Sequence, residues 1–465
     1  MPEEPVHLTE SKLKEEVAVT SSLLKMPVRK AVFLLAWPTI IAGLLENLAT
    51  TIDYAMVGLL GPAELAGVGT AAMIFWVLSA LGIGLSVAAM ALVARGIGGG
   101  SQKDARLALS QSIWLSIISG IVIGGATIAT APMIVGWFGV MPDVERFSIS
   151  YLRILNMGMV FFAIMSVASG ALRGAGDTRT PMVIGLLANL IHFGLNYILI
   201  FGKFGMPAFG VAGAAMGTAV SYGVASIIYF ILFFRNRLVI GLSLSDCKWD
   251  FDRARQVMRV AIPATIEQFF LQLGVVLYMK FIVGYGTTAL SGYHVGMRVL
   301  SLSFIPNLGF STAAGALIGQ NLGAGRKPEA KLAGWTCLGW AMLSMCTIGL
   351  GFLLFSRPLA DFFVDDPEVI ELGALFIRIV AYCQPGMATY FTLAGALRGA
   401  GDTRSPLFIA LLGMYCFRIP AAWVLTHIFH VSLFTIFALL MGDYLIRIIC
   451  ILLRYSRGKW LETRI

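Results

Sequence analysis

Charge is scarce in this sequence. Asp, Glu, Lys and Arg make up 13% of its 465 residues, against about 25% in a soluble chain. Apolar residues make up 58%, and the mean hydropathy is +0.84. A soluble globular domain is excluded on that ground. Histidine occurs only five times, and no HExxH, GxSxG or His/Asp cluster is present, which sets a membrane-embedded enzyme aside. The six cysteines (Cys247, Cys337, Cys346, Cys383, Cys416 and Cys450) form no CxxC pair. They read as small buried apolar residues, neither disulfides nor metal ligands. No strand precedes, and no GK[ST] follows, the glycine-rich RGIGGG at 95–100. ATP is therefore not the direct energy source, and no cofactor is expected.

What the sequence has is apolar length. Stretches of about 20 residues recur from residue 31 to residue 453, each able to cross about 30 Å of hydrocarbon. We count twelve. The expected fold is an all-α membrane protein of twelve transmembrane helices in two parallel-repeat six-helix lobes. The expected divisions are a cytoplasmic tail (1–30), an N-lobe (31–234), a cytoplasmic linker (235–255), a C-lobe (256–453) and a second cytoplasmic tail (454–465). The first tail is polar and is not a signal peptide, since the apolar run after it is too long.

The two lobes are visible as a repeat. Residues 171–182 read ALRGAGDTRTPM and residues 396–407 read ALRGAGDTRSPL. The same register places Pro38 on Pro263, Gly61 on Gly286, Gly98 on Gly323, Pro142 on Pro367 and Arg153 on Arg378. Duplicated helix bundles point to a transporter whose site lies between the halves. An even number of helices per half makes the copies parallel. In the repeated loop the glycines permit a tight reversal. Asp177 or Thr178 can cap the next helix with Pro181 in its first turn, and Asp402, Thr403 and Pro406 repeat this.

Basic residues fix the orientation. With both termini in the cytoplasm, inner segments hold 25 of the 34 Lys and Arg, and outer loops hold Arg146, Lys203 and Arg357 only. This is a strong positive-inside signal. The net charge of +9 thus faces anionic lipid headgroups, and no nucleic-acid partner is expected.

Ionisable groups inside apolar helices are costly, about 2.5–3.5 kcal/mol each at a helix centre, and mark function. Glu46, Asn47, Thr50, Asp53 and Tyr54 form one polar stripe on helix one. Helix five presents Asn189, His192 and Asn196. Helix seven presents Glu267, Gln268 and Gln272, with Tyr278 further along. In the repeat register Asp53 meets Tyr278, Glu46 meets Leu271 and Glu267 meets Ala42. The scaffold is duplicated; the acids are not. Asp53 and Glu267 are therefore the expected cation-coupling residues, and the others line the cavity. Asp443 and Arg447, four apart on helix twelve, are expected to pair. Sequence leaves Arg298 and Arg418 unassigned.

With the duplicated LRGAGDTR loop, TIDYAMVGLLG (51–61) and GALIGQNLGAG (315–325), the chain resembles the multidrug and toxic compound extrusion (MATE) transporters of the multidrug/oligosaccharidyl-lipid/polysaccharide exporter superfamily. The resemblance implies an inner-membrane antiporter expelling amphipathic, often cationic, organic compounds against inward Na⁺ or H⁺. It implies that Asp53 is the helix-one acid, Pro38 a helix-bending proline, and Glu267 the helix-seven acid of a PxxxEQ segment. Two positions depart from it. Asn196 stands where many members carry a second N-lobe Asp, and Met387 where some carry a helix-ten Asp. The expectation is a monomer whose coupling site surrounds Glu267, with Na⁺ slightly favoured over H⁺ and Asp53 relaying. A flippase for lipid-linked saccharides shares the architecture, but its diphosphate cargo favours a basic cavity.

Overall fold

The computed structural model describes residues 22–236 and 238–463. The tail expected over residues 1–30 falls, up to residue 21, outside the described residues. After one helical turn at Ser22–Lys25, the first half comprises α1 (Val28–Gly58), α2 (Pro62–Leu78), α3 (Ala80–Gly98), α4 (Gln102–Gly136), α5 (Pro142–Met157), α6 (Met159–Ala175), α7 (Arg179–Phe201) and α8 (Val211–Phe234). The second half comprises α9 (Phe251–Val283), α10 (Thr287–Gly323), α11 (Lys327–Leu354), α12 (Pro367–Gly399), α13 (Arg404–Leu411), α14 (Ile419–His427) and α15 (Leu433–Ser456). A π-helical turn, Leu412–Arg418, joins α13 to α14. Eleven helices are long and apolar enough to cross a membrane, or twelve when the bent pair α5–α6 is one span. The protein is a multi-pass, all-helical membrane protein with twelve helices in two lobes.

The repeat governs where the elements begin. The starts of α2 and α10, of α5 and α12, and of α7 and α13 are each 225 residues apart. The copies differ in continuity. Helix two of the first lobe breaks at Ser79, whereas its counterpart α10 runs unbroken through Pro306. Helix four bends by 54° between α5 and α6, while α12 is continuous. A Cβ on Gly158, the residue at that bend, would lie 2.8 Å from the Ala219 methyl on α8. The bend thus sits where two helices approach too closely for a side chain.

The duplicated loop works as its sequence suggests. Gly176 and Gly401 adopt the left-handed region, at φ of 94° and 85°. Asp177 accepts from the Thr180 amide at 2.9 Å and its hydroxyl at 2.6 Å. Asp402 accepts from the Ser405 amide at 3.2 Å and hydroxyl at 2.9 Å. Arg153 and Arg378 brace their helices against Ile128 O and Ser356 Oγ, at 3.2 and 3.0 Å.

The connection between halves is strapped to the first lobe. Gln111 and Trp114 on α4 donate to Lys248 O and Cys247 O, each at 2.8 Å. The lobes meet where α9 packs on α3 and α10 packs on both α1 and α3. They close at the end that carries both chain ends. There Gln320 donates to Gly174 O at 2.9 Å, and Arg95 donates to Thr463 O at 2.7 Å. The segment expected as a cytoplasmic tail folds back: Trp460 is fully buried and stacks on Tyr455 at 4.8 Å.

Glycine permits this closure. A Cβ on Gly323 would stand 2.8 Å from the Gly99 nitrogen, against backbone that cannot swing away. Overpacking of this kind costs about 1–3 kcal/mol. Gly323→Ala is expected to shift the open-to-closed ratio of this end about tenfold toward open. The measure is the spin-label distance distribution between Lys103 and Lys327, exposed residues on opposite lobes.

Candidate functional site

The N-lobe site is built on α1, α7 and α8, which pack side by side. Pro38 lies inside α1 and is buried, and it removes one intrahelical hydrogen bond. Beyond it runs the polar stripe. Asp53 Oδ1 accepts from Asn196 Nδ2 at 2.8 Å. His192 Nε2 lies 3.5 Å from Asp53 Oδ2, 3.1 Å from Asn196 Nδ2 and 3.0 Å from Thr218 Oγ1. The cluster is possible because α8 carries Gly217 here: a methyl at that position would overlap Asn196 Oδ1.

Asn196 sets a neutral amide beside Asp53, and His192, one helical turn away on α7, is the second group that reaches the acid. Asn196 is fully buried, and its Oδ1 has no partner. That unmet acceptor has a chemical consequence. An ionised Asp53 takes the amide N–H. A protonated Asp53 can donate to the amide oxygen once the amide rotates, so the Asn196 side chain reads the state of the acid. Among the described residues this cluster alone joins a carboxylate to an imidazole.

The rest of the stripe lies outside that cluster. Thr50 and Thr51 donate back to Glu46 O and Asn47 O, at 3.0 and 2.9 Å. Such back-bonding is how threonine hydroxyls are satisfied inside helices. Glu46 is exposed. Tyr54 and Asn189 make no side-chain hydrogen bond among the described residues. Arg298, unassigned by sequence, crosses the lobes to donate to Thr51 Oγ1 at 2.5 Å.

The C-lobe holds a cavity of about 620 Å³ that extends to α3 and α6 of the N-lobe. Six charged residues line it: Glu267, Asp443, Arg173, Arg398, Arg418 and Arg447. Glu267 is 2% exposed. It accepts from Arg398 Nη2 at 2.5 Å, Arg398 Nε at 3.2 Å and Tyr390 OH at 3.1 Å. Arg398 belongs to the duplicated loop, and its counterpart Arg173 lines the same cavity.

A hard cation takes oxygen acceptors, whereas three donors and a full positive charge surround Glu267 in this structure. The Tyr278 hydroxyl donates to Ile436 O at 2.5 Å. Gln268 and Gln272 do line the cavity. Asp443 and Arg447 pair as their spacing implies, with bonds of 2.6 and 3.0 Å.

A second correspondence emerges in three dimensions. Asp53 and Tyr278 are repeat mates at 225. The helix Arg404–His427 has one residue more than its mate Arg179–Phe201, 24 against 23. Beyond the π turn the spacing is therefore 226, which sets His192 on Arg418. Arg418 indeed lies over the Tyr278 ring at 4.0 Å, as His192 lies beside Asp53. The two lobes carry equivalent pairs with different chemistry.

Comparison with known proteins agrees with the two-lobe fold. The MatE family model matches residues 38–198 and again 263–424. A probable multidrug resistance protein NorM of Thermotoga maritima is 33% identical over 436 residues, 93% of each chain. The multidrug resistance protein MdtK of Yersinia enterocolitica is 24% identical, over 85% of this chain and 87% of its own. Among solved structures, a MOP superfamily transporter from Pyrococcus furiosus, described as having a binding pocket of reverse polarity, aligns with TM-score 0.88 at 22% identity, over 95% of this chain and 98% of that one. An outward-facing MATE family transporter aligns with TM-score 0.87 at 22% identity, over 94% of this chain and 98% of that one. With its model matched once in each lobe, the chain belongs to the MatE family of multidrug and toxic compound extrusion transporters.

Proposed function

We propose that the protein is a secondary active antiporter of the inner membrane, with both termini cytoplasmic, that exports amphipathic organic compounds in exchange for inward protons. The observation that carries this reading is the cluster of Asp53, Asn196, His192 and Thr218. One carboxylate can hold a proton or interact with a positively charged cargo group, but not both. Proton and cargo then stabilise different states of one site, which is the thermodynamic content of antiport. The relatives named as multidrug resistance proteins support a broad organic cargo. A cationic centre on that cargo fits the α1 wall, where Glu46 and Asp53 lie. The donors around Glu267 argue for H⁺ over Na⁺. The cavity is complete within one chain, which supports a monomer set in membrane lipid. Closure at the terminal end makes this the state open to the outside.

The test is efflux of a cationic dye from vesicles under one gradient at a time. A pH gradient alone is expected to drive it, and a Na⁺ gradient at fixed pH is expected to add nothing. Na⁺-driven efflux with no response to pH would overturn the ion assignment.

A further inference from the structure

We propose that the C-lobe cavity receives an oxyanion, a carboxylate carried by the amphipathic cargo, and that Arg418 is its receptor. The inference rests on the transporter reading above and adds to its substrate class amphiphiles that carry a carboxylate, zwitterions included.

The cavity is lined by four guanidiniums and two carboxylates. Arg398 and Glu267 neutralise each other. Asp443 must serve two partners: it is bound by Arg447 at 2.6 and 3.0 Å, and it stands 3.5 Å from Arg418. Arg418 is only 8% exposed, and its Nε has no partner. The Tyr278 ring beneath it offers a quadrupole but no countercharge. A buried guanidinium short of an anion is costly. An anion entering the cavity would relieve that cost, whereas a cation would raise it.

The surroundings fit an amphiphile. The planar fork of arginine matches a carboxylate. The hydroxyls of Tyr293 and Tyr444 line the same cavity and make no hydrogen bond among the described residues. Leu300 and Phe304 supply an apolar wall, and Met90 of the N-lobe faces them. Methionine adapts to varied shapes. The α1 acids suit the positive end of a zwitterion, and Arg418 suits the negative end.

The experiment uses the full-length protein in nanodiscs and proteoliposomes with two rhodamine dyes. One bears a free carboxylate; the other is its methyl ester, a cation with the same rings. Wild type is expected to bind the carboxylate dye at least tenfold more tightly than the ester. Arg418→Gln is expected to lower the ratio of carboxylate to ester binding about tenfold. Arg418→Lys, which keeps the charge, is expected to retain part of the preference, and its thermal unfolding reports on folding. Equal dye preference in wild type and Arg418→Gln, with the ester still transported, would overturn the inference and leave the antiporter standing. Transport of neither dye by wild type would sink both. Displacement of the carboxylate dye in nanodiscs of phosphatidylglycerol, but not of phosphatidylcholine, would assign the site to a net-anionic lipid headgroup and overturn the cargo assignment.

Discussion

Asp53→Asn is expected to reduce proton-driven efflux to the background of empty vesicles. The substitution keeps the size of the side chain and an oxygen to accept the Asn196 N–H, so the 2.8 Å contact survives. What disappears is the ability to take up and release a proton, and the charge that comes with release. A coupled exchange without its exchangeable proton does no work against a cargo gradient. The measurement is dye movement under a pH gradient, normalised to inserted protein, with binding of the dye followed separately. In this prediction dye binding loses its dependence on pH and gradient-driven movement stops. Efflux at the wild-type rate would place the proton site elsewhere, with His192 the next group to test.

Arg398→Ala is expected to be the most destabilising single change in the C-lobe. It strands Glu267, which is 2% exposed, beside Tyr390 alone. Breaking a buried ion pair from one side costs about 3–5 kcal/mol, chiefly because the remaining charge stays buried. Neutralising both partners removes that charge, so Glu267→Gln with Arg398→Gln should recover most of the loss. Thermal unfolding in detergent of the single and paired variants checks this. A paired variant no more stable than Arg398→Ala would mean that the arginine holds the loop in some other way. An unperturbed single variant would mean that water reaches Glu267.

These two sites were unequally legible in the amino-acid chain. The twelve spans follow from hydropathy, because a membrane leaves a backbone few alternatives to the helix. The duplicated loop was readable too, since glycine, aspartate and proline act on their own backbone. Interruptions of helices two and four were not readable: Ser79 and Gly158 resemble many other small residues in these spans. Asp53 could be singled out as a costly buried acid, but its partners lie 139 and 143 residues away on α7, and local periodicity carries no information across that distance. Arg398 is the instructive omission. It lies 131 residues from Glu267 and is identical to Arg173 in the repeat, so no local spacing joins it to an acid found in one lobe only. The donors around Glu267 were hidden for the same reason: spacing along one helix shows its own oxygens, while Arg398 and Tyr390 come from α12.

The π turn at Leu412–Arg418 has a consequence for how the two lobes diverged. A helix advances about 100° per residue. One additional residue would turn everything after it by roughly that angle, but a single wide turn absorbs it and leaves the rest of the helix in phase. The second half of this helix thus presents the same face as its N-lobe twin at a spacing of 226 instead of 225. An arginine comes to occupy the place above Tyr278 that histidine occupies beside Asp53. Two copies of one ancestral hairpin thus carry opposite polarities at one place, and a change one codon long leaves undisturbed the packing that lets them rock against each other.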